Sequence, residues 1–228
     1  MQGDIFATKG IEYVIVIAYL TLLVVAVRFL APPKVARALG AAGRRPGTRP
    51  APWFALREGY HFHQGHTWAA DGHESVVKVG LDHFAATLIG HAHGVEFPAV
   101  GATVQQGVPG WTLRAGDRRL SMLSPVEGRV VALNQAVIES PRLATEDPYG
   151  DGWLLKVEAS NRKASLRNLL TGELAVRWMD HTVERLRGLP AAGLGVVMPD
   201  GGAPVHGFGH ALGPEEWETV VREFFLSE

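Results

Sequence analysis

"LSPVEGRVVALNQAVIESPRLATEDPYGDGWLLKVEASN", residues 123–161, is the stretch whose reading decides the fold. Two runs inside it, "GRVVALN" (128–134) and "GWLLKVEA" (152–159), alternate apolar and polar residues between glycine, asparagine and aspartate punctuation, which is the pattern of half-buried strands. Upstream, "ESVVKVGL" (74–81), "VEFPAVG" (95–101), "GWTLRAG" (110–116) and "RLSMLSP" (119–125) repeat it. Turn signals fall every 8–12 residues or so, the spacing of a sandwich or barrel. "LDHFAATLIG" (81–90) interrupts with helical periodicity, placing Leu81, Phe84, Leu88 and Ile89 on one face.

Downstream of Ala159 the period changes. "NRKASLRNLLTGELAVRWMDHTVERLRGL" spaces Leu166, Leu169, Leu170, Leu174, Trp178 and Val183 near 3.6 residues and predicts two helices parted at Thr171-Gly172. Pro199-Asp200-Gly201-Gly202 predicts a hairpin turn. "GPEEWETVVREFFL" (213–226) predicts a last helix, with Pro214 in its first position and Trp217, Val220, Val221, Phe224 and Phe225 on its apolar face.

At the other end, "IEYVIVIAYLTLLVVAVRFL" (11–30) is 20 residues of nearly unbroken apolar sequence. At about 1.5 Å per helical residue it matches a hydrocarbon core of roughly 30 Å. The basic residues follow it, at Arg28, Lys34, Arg37, Arg44, Arg45 and Arg49, where a cleaved signal would carry them in front. Residues 11–31 are therefore expected to be an uncleaved single-pass anchor of the inner, cytoplasmic membrane after a short tail at 1–10. The positive-inside rule puts the N-terminus outside and the rest in the cytoplasm. Residues 32–52, rich in Ala, Pro, Gly and Arg, read as a linker near anionic headgroups.

Composition excludes several classes. The net charge is -1 and the basic residues form no stripe interleaved with aromatics, so no nucleic-acid partner is expected. With no cysteine there is no disulfide, thiolate cluster ligation or thiol nucleophile. No local context supports a catalytic triad, and the chain is not expected to be an enzyme.

The stretches "HTWAADGHESVVKVGLDHFAATLIG", "VEFPAVGATVQQG" and the opening quotation together resemble the H protein of the glycine cleavage system, over residues 61–179 or so. The most specific matches are His66-Thr67-Trp68, Val79-Gly80-Leu81, Ser124-Pro125-Val126-Glu127-Gly128, Asn134 and Asp147 to Leu154. The resemblance implies a mainly β fold with helices. A flattened barrel or sandwich of two small antiparallel sheets would occupy 53–179, and a small α/β extension 180–228. It also implies that the Asp147–Trp153 loop, whose two carboxylates invite a ligand reading, serves to turn the chain into the last strand.

H proteins carry lipoic acid on a lysine at a hairpin tip. Counting back from Pro125 by the family's spacing places that lysine at Asp117, and Arg114-Ala115-Gly116-Asp117 departs from the family loop at each of its four positions. A carboxylate cannot form the lipoyl amide, which needs an amine on a flexible stem. The lysines of the chain are Lys9, Lys34, Lys78, Lys156 and Lys163, none of them on this hairpin. No cofactor is expected, and the chain reads as a non-lipoylated docking or scaffold subunit of a membrane complex, of the kind found among accessory subunits of respiratory or hydrogenase-type electron-transfer complexes. Its expected partners are the bilayer and other subunits, with Asp117, Arg118, Arg119, Trp217, Phe224 and Phe225 as candidate contacts, the last three docking either on the barrel itself or on another subunit. Two alternatives stay open. One is a carrier modified at another lysine. The other is a metal site at the pairs His61-x-His63 and His91-x-His93, within the seven histidines between 61 and 93.

Overall fold

The computed structural model describes residues 16–21, 53–72, 75–189 and 204–226. The chain divides into two units, residues 1–51 and 52–228. In the first, residues 16–21 are helical, and Thr21 Oγ1 donates to the Ile17 carbonyl at 2.7 Å. Among the described residues no helix is long and apolar enough to cross a membrane. The rest of the expected span at 11–31, the linker at 32–52 and the turn at 199–202 lie outside the described residues.

The second unit contains two antiparallel sheets whose apolar faces meet in one core. One has the order β1-β2-β3-β9-β8-β5, formed by His61–His63, Thr67–Asp71, Val76–Leu81, Leu155–Ala159, Gly128–Leu133 and Thr103–Val104 respectively. The other has the order β4-β6-β7, from Gly94–Glu96, Pro109–Ala115 and Arg118–Leu123. The two-residue period of a strand explains the division of faces. In β3, Val77, Val79 and Leu81 are buried while Lys78 between them is exposed; in β6 and β7, Trp111, Leu113, Ala115, Leu120 and Met122 point inward.

The expected strand at 95–101 survives only as β4. Phe97 leads into Pro98, which has no N–H for a ladder, and the chain turns. Strands β1, β2 and β5 were not signalled by the sequence, since β1 and β2 sit in histidine-rich sequence and β5 spans two residues. Helix α1, His83–Ile89, follows β3 as expected, capped by Asp82 Oδ1 accepting from the Ala85 N–H at 2.9 Å. Its residues from Phe84 to Ile89 are all buried. Two short helices, α2 (Gln135–Glu139) and α3 (Leu143–Glu146), connect β8 to β9.

After β9 come α4, Arg162–Arg167, and α5, Gly172–Arg187, parted at Thr171-Gly172 as expected. On α5, Trp178 and Val183 pack against the core as expected, and the stripe departs from the predicted one at Leu174. Ala175, Met179, Thr182 and Leu186 face the core at helical spacing, whereas Leu174 is 65% exposed. Helix α5 runs unbroken through residues 179 and 180.

The C-terminal segment, 204–226, returns to the barrel. A 3₁₀ turn (Phe208–Ala211) precedes α6 (Pro214–Val220), which continues as a π-helical turn over Val221–Phe225. Phe208, Trp217, Val220, Phe224 and Phe225 join the same core as the sheets. Two glycines make the approach possible. Gly90, at φ +69°, ends α1 so close to Gly207, at φ +80°, that a Cβ on Gly90 would stand 2.6 Å from the Gly207 Cα.

Candidate functional site

The β6–β7 hairpin is closed by Gly116-Asp117 between the paired residues Ala115 and Arg118. Gly116 lies at φ +62°, the left-handed conformation that a two-residue turn requires. The Asp117 side chain is 89% exposed, with Arg118 Nε 4.0 Å from its carboxylate.

The tip is braced from both sides. From the residue before β4, His93 Nδ1 accepts the Gly116 N–H at 3.1 Å. From the C-terminal segment, the Leu212 carbonyl accepts from the Arg118 guanidinium at 2.6 Å, and the indole of Trp217 lies beneath that guanidinium at 5.1 Å. Arg119 donates to both carboxylate oxygens of Glu96, at 2.9 and 2.7 Å, with Arg114 3.6 Å from the same group. Asp117 and Arg119 thus sit at the edge of an exposed charged patch that also includes Arg114 and Glu96. The last two were not among the sequence candidates, because cross-strand register brings Glu96 beside the hairpin.

The six candidate contacts therefore separate. Asp117 and Arg119 are exposed. Arg118 is drawn inward, and Trp217, Phe224 and Phe225 are 8%, 2% and 0% exposed, consumed by packing within the chain itself. The three rings thus take the barrel of the same chain, one of the two dockings expected for them. The helical pattern correctly marked them as apolar, and the face they cover belongs to the barrel of the same molecule.

The histidine pairs do not converge. His63 Nδ1 accepts from the Gly65 N–H at 3.0 Å, and burial, helped by nearby His66, pushes its pKa down. His61 Nδ1 is buried with no hydrogen-bond partner. His91 faces Glu146 at 3.6 Å and the His206 ring at 5.4 Å, while His93 serves the hairpin tip. Among the described residues no three His, Cys, Asp or Glu side chains are grouped to hold a metal ion, and His73 lies outside them.

A further pair is buried. His66 Nδ1 stands 2.7 Å from Asp82 Oδ2, the two 1% and 0% exposed, with the rings of Phe84, Trp178 and Phe225 at 4.1, 4.8 and 5.3 Å from the imidazole. Since Asp82 also caps α1, the pair ties the β1–β2 turn to that helix. Its burial keeps it from any solute. His83, next in sequence, accepts the Ala55 N–H on Nδ1 at 2.9 Å, and burial lowers its pKa against the opposing pull of Asp82.

The Asp147–Trp153 loop closes on itself. Asp147 Oδ2 accepts from the Asp151 N–H at 2.8 Å, and Asn134 Nδ2 donates to the Asp151 and Trp153 carbonyls at 2.7 and 2.6 Å. The Tyr149 hydroxyl donates to the Ala55 carbonyl at 2.8 Å, and its burial pushes the phenol pKa up. The Asp147 carboxylate and the Tyr149 hydroxyl are thus occupied within the fold, the first in shaping the turn before β9.

Lys78 and Lys156 lie in register on β3 and β9, in the six-stranded sheet, and Lys163 lies on α4. None of the three stands on the hairpin.

A family model described as glycine cleavage H-protein matches residues 60–182. The glycine cleavage system H protein of Thermobifida fusca is 41% identical over 101 residues, 44% of this chain and 79% of that protein. That of Synechococcus sp. RCC307 is 43% identical over 94 residues, 39% of this chain and 72% of that protein. A crystal structure of a glycine cleavage system H protein from Mycobacterium marinum aligns with a TM-score of 0.48 at 26% identity, covering 56% of this chain and 98% of that one.

Proposed function

The chain belongs to the glycine cleavage H-protein family, over residues 60–182, and from that premise we propose that it has kept the family's barrel as a docking surface without keeping the lipoyl arm. The observation that carries this reading is the hairpin tip. The residue that sits there is Asp117, and the hairpin from 109 to 123 holds no lysine. A lipoyl amide requires an amine at an accessible turn, so the residues present do not fit the group. The bracing of the tip by His93, Leu212 and Trp217 favours the same reading, since an arm that serves several enzymes in turn gains nothing from a fixed base.

On this reading the chain is a non-catalytic accessory subunit. Residues 11–31 anchor it in the inner membrane, the barrel stands on the cytoplasmic side, and neighbouring subunits of a membrane complex, of the respiratory or hydrogenase-type electron-transfer class, dock on it. The exposed patch of Asp117, Arg119, Arg114 and Glu96 suits a partner with charges of both signs. Such rim charges set orientation and on-rate more than affinity.

The test is purification of the full chain from native membranes in mild detergent, followed by intact-mass measurement. The expected result is an unmodified mass and stoichiometric partner subunits, with the partners lost when Asp117 and Arg119 are both reversed in charge. A lipoyl adduct on any lysine, or a chain that runs alone, overturns the proposal.

A further inference from the structure

Two cavities of different character adjoin at His61 and Thr171. One, of about 440 Å³, runs between residues 56–62 and the start of α5, with Leu56, Tyr60, Phe62, Ala175 and Val176 among its walls. The other, of about 460 Å³, lies along α4, where Arg162, Lys163 and Arg167 face it with Asp71 as the carboxylate on the opposite rim. His61 and Thr171 line both, so the two compartments share a wall.

Their chemistry differs in a way that specifies a ligand. Arg162 is engaged by Asp71 at 3.7 Å, which leaves the second compartment with an excess of positive charge from Lys163 and Arg167. The first exposes more apolar than polar surface, from Leu56, Tyr60, Phe62, Ala175 and Val176, with Arg57 and Glu58 as an opposed pair of charges in its wall, and Val176 stays 38% exposed. The shared wall carries an unsatisfied polar atom, since His61 Nδ1 is buried without a partner. An apolar cleft beside a cationic one is the arrangement that holds a molecule with an alkyl body and an anionic head.

We infer that this double cavity binds an amphiphilic anion, its phosphate or carboxylate head among Lys163, Arg167 and Arg162 and its alkyl chain against Tyr60, Phe62 and Val176. The assignment goes beyond the docking reading and does not depend on it. The head could belong to a bilayer lipid or to a soluble alkyl phosphate or acid, and the chemistry that recognises it is the same.

The experiment is calorimetric titration of the full chain in phosphatidylcholine nanodiscs, with empty nanodiscs as the blank and hexyl phosphate, inorganic phosphate and hexanol as probes. Burial of the alkyl chain should make hexyl phosphate bind at least about tenfold more tightly than inorganic phosphate. In Lys163→Glu/Arg167→Glu, hexyl phosphate and phosphate binding should be lost while hexanol is retained, which also shows that the fold survives. In Val176→Trp, which fills the apolar compartment, the alkyl advantage should vanish while inorganic phosphate binds as before. Equal affinity for hexyl phosphate and inorganic phosphate in the unaltered chain overturns the inference, and so does hexyl phosphate binding that neither variant weakens. Nanodiscs containing phosphatidylglycerol separate the sources. Competition with hexyl phosphate assigns the head to the bilayer and lack of competition assigns it to solution, each on top of the binding already required.

Discussion

Arg118 holds the hairpin tip by two contacts of different kind, a charge-assisted hydrogen bond to the Leu212 carbonyl and a stack on Trp217. With its side chain 15% exposed, Arg118→Ala should cost about 2 kcal/mol of unfolding free energy. Denaturant titration measures that cost, and hydrogen exchange at the Gly116 amide should accelerate with it. The histidines make a second residue-scale prediction. Burial disfavours the charged forms of His63 and His83, so the unfolded chain binds more protons once the pH falls below the ordinary histidine value of about 6.5. Their contribution to stability is complete above that pH and is lost as the pH drops toward their lower folded pKa values. The melting temperature should therefore fall between pH 7 and pH 5, less steeply in His63→Gln/His83→Gln, and a flat profile in the unaltered chain would count against these roles. The residue at the tip could be read from sequence because turn chemistry is local: Gly116-Asp117 names its own conformation. That His63, His83 and His93 accept backbone N–H groups could not be read, because the donors of His83 and His93 lie far along the chain and only packing brings them close.

Among the elements, strands with clean alternation were legible and strands without it were not. In β6 and β9 each buried position falls at the two-residue period, and in β3 the buried Val77, Val79 and Leu81 keep it with only Gly80 buried between them, while β1 is a triplet, His61-Phe62-His63, with one apolar member. Its place in the sheet comes from pairing with β2 and from the exchange of backbone hydrogen bonds between Phe62 and Leu170, both at 2.8 Å. For α5 the period was right, with Trp178 and Val183 packed against the core as expected, while Leu174 falls outside the buried face, which runs through Ala175, Met179, Thr182 and Leu186 instead. The return of the C-terminal segment depends on the crossing of Gly90 and Gly207. Gly90→Ala combines a left-handed φ with a 2.6 Å approach to the Gly207 Cα and should destabilise the domain by at least about 2 kcal/mol. Gly59→Ala, also at positive φ but with open space around its Cβ, should cost only the smaller backbone strain of about 1 kcal/mol. Comparison of the two melting temperatures separates steric crossing from backbone preference.

For the molecule as a whole, the two-sheet barrel was legible from punctuation and period, and the membrane side was legible only as an expectation from the charges flanking residues 11–30. Protease added outside intact cells should leave the barrel uncut, and digestion there would reverse the proposed orientation. What the linear pattern concealed is how the core is completed. Phe224→Ala and Phe225→Ala should each cost about 3–5 kcal/mol, measured by thermal or chemical unfolding, because both rings are buried against Phe84 and the imidazole of His66. That closure has a consequence for how the protein is made. The inner wall near His66 leaves the ribosome long before the rings that cover it, so the nascent barrel must wait with an aromatic-lined opening until residues 208–225 emerge. During that interval it offers chaperones a target that the finished protein conceals.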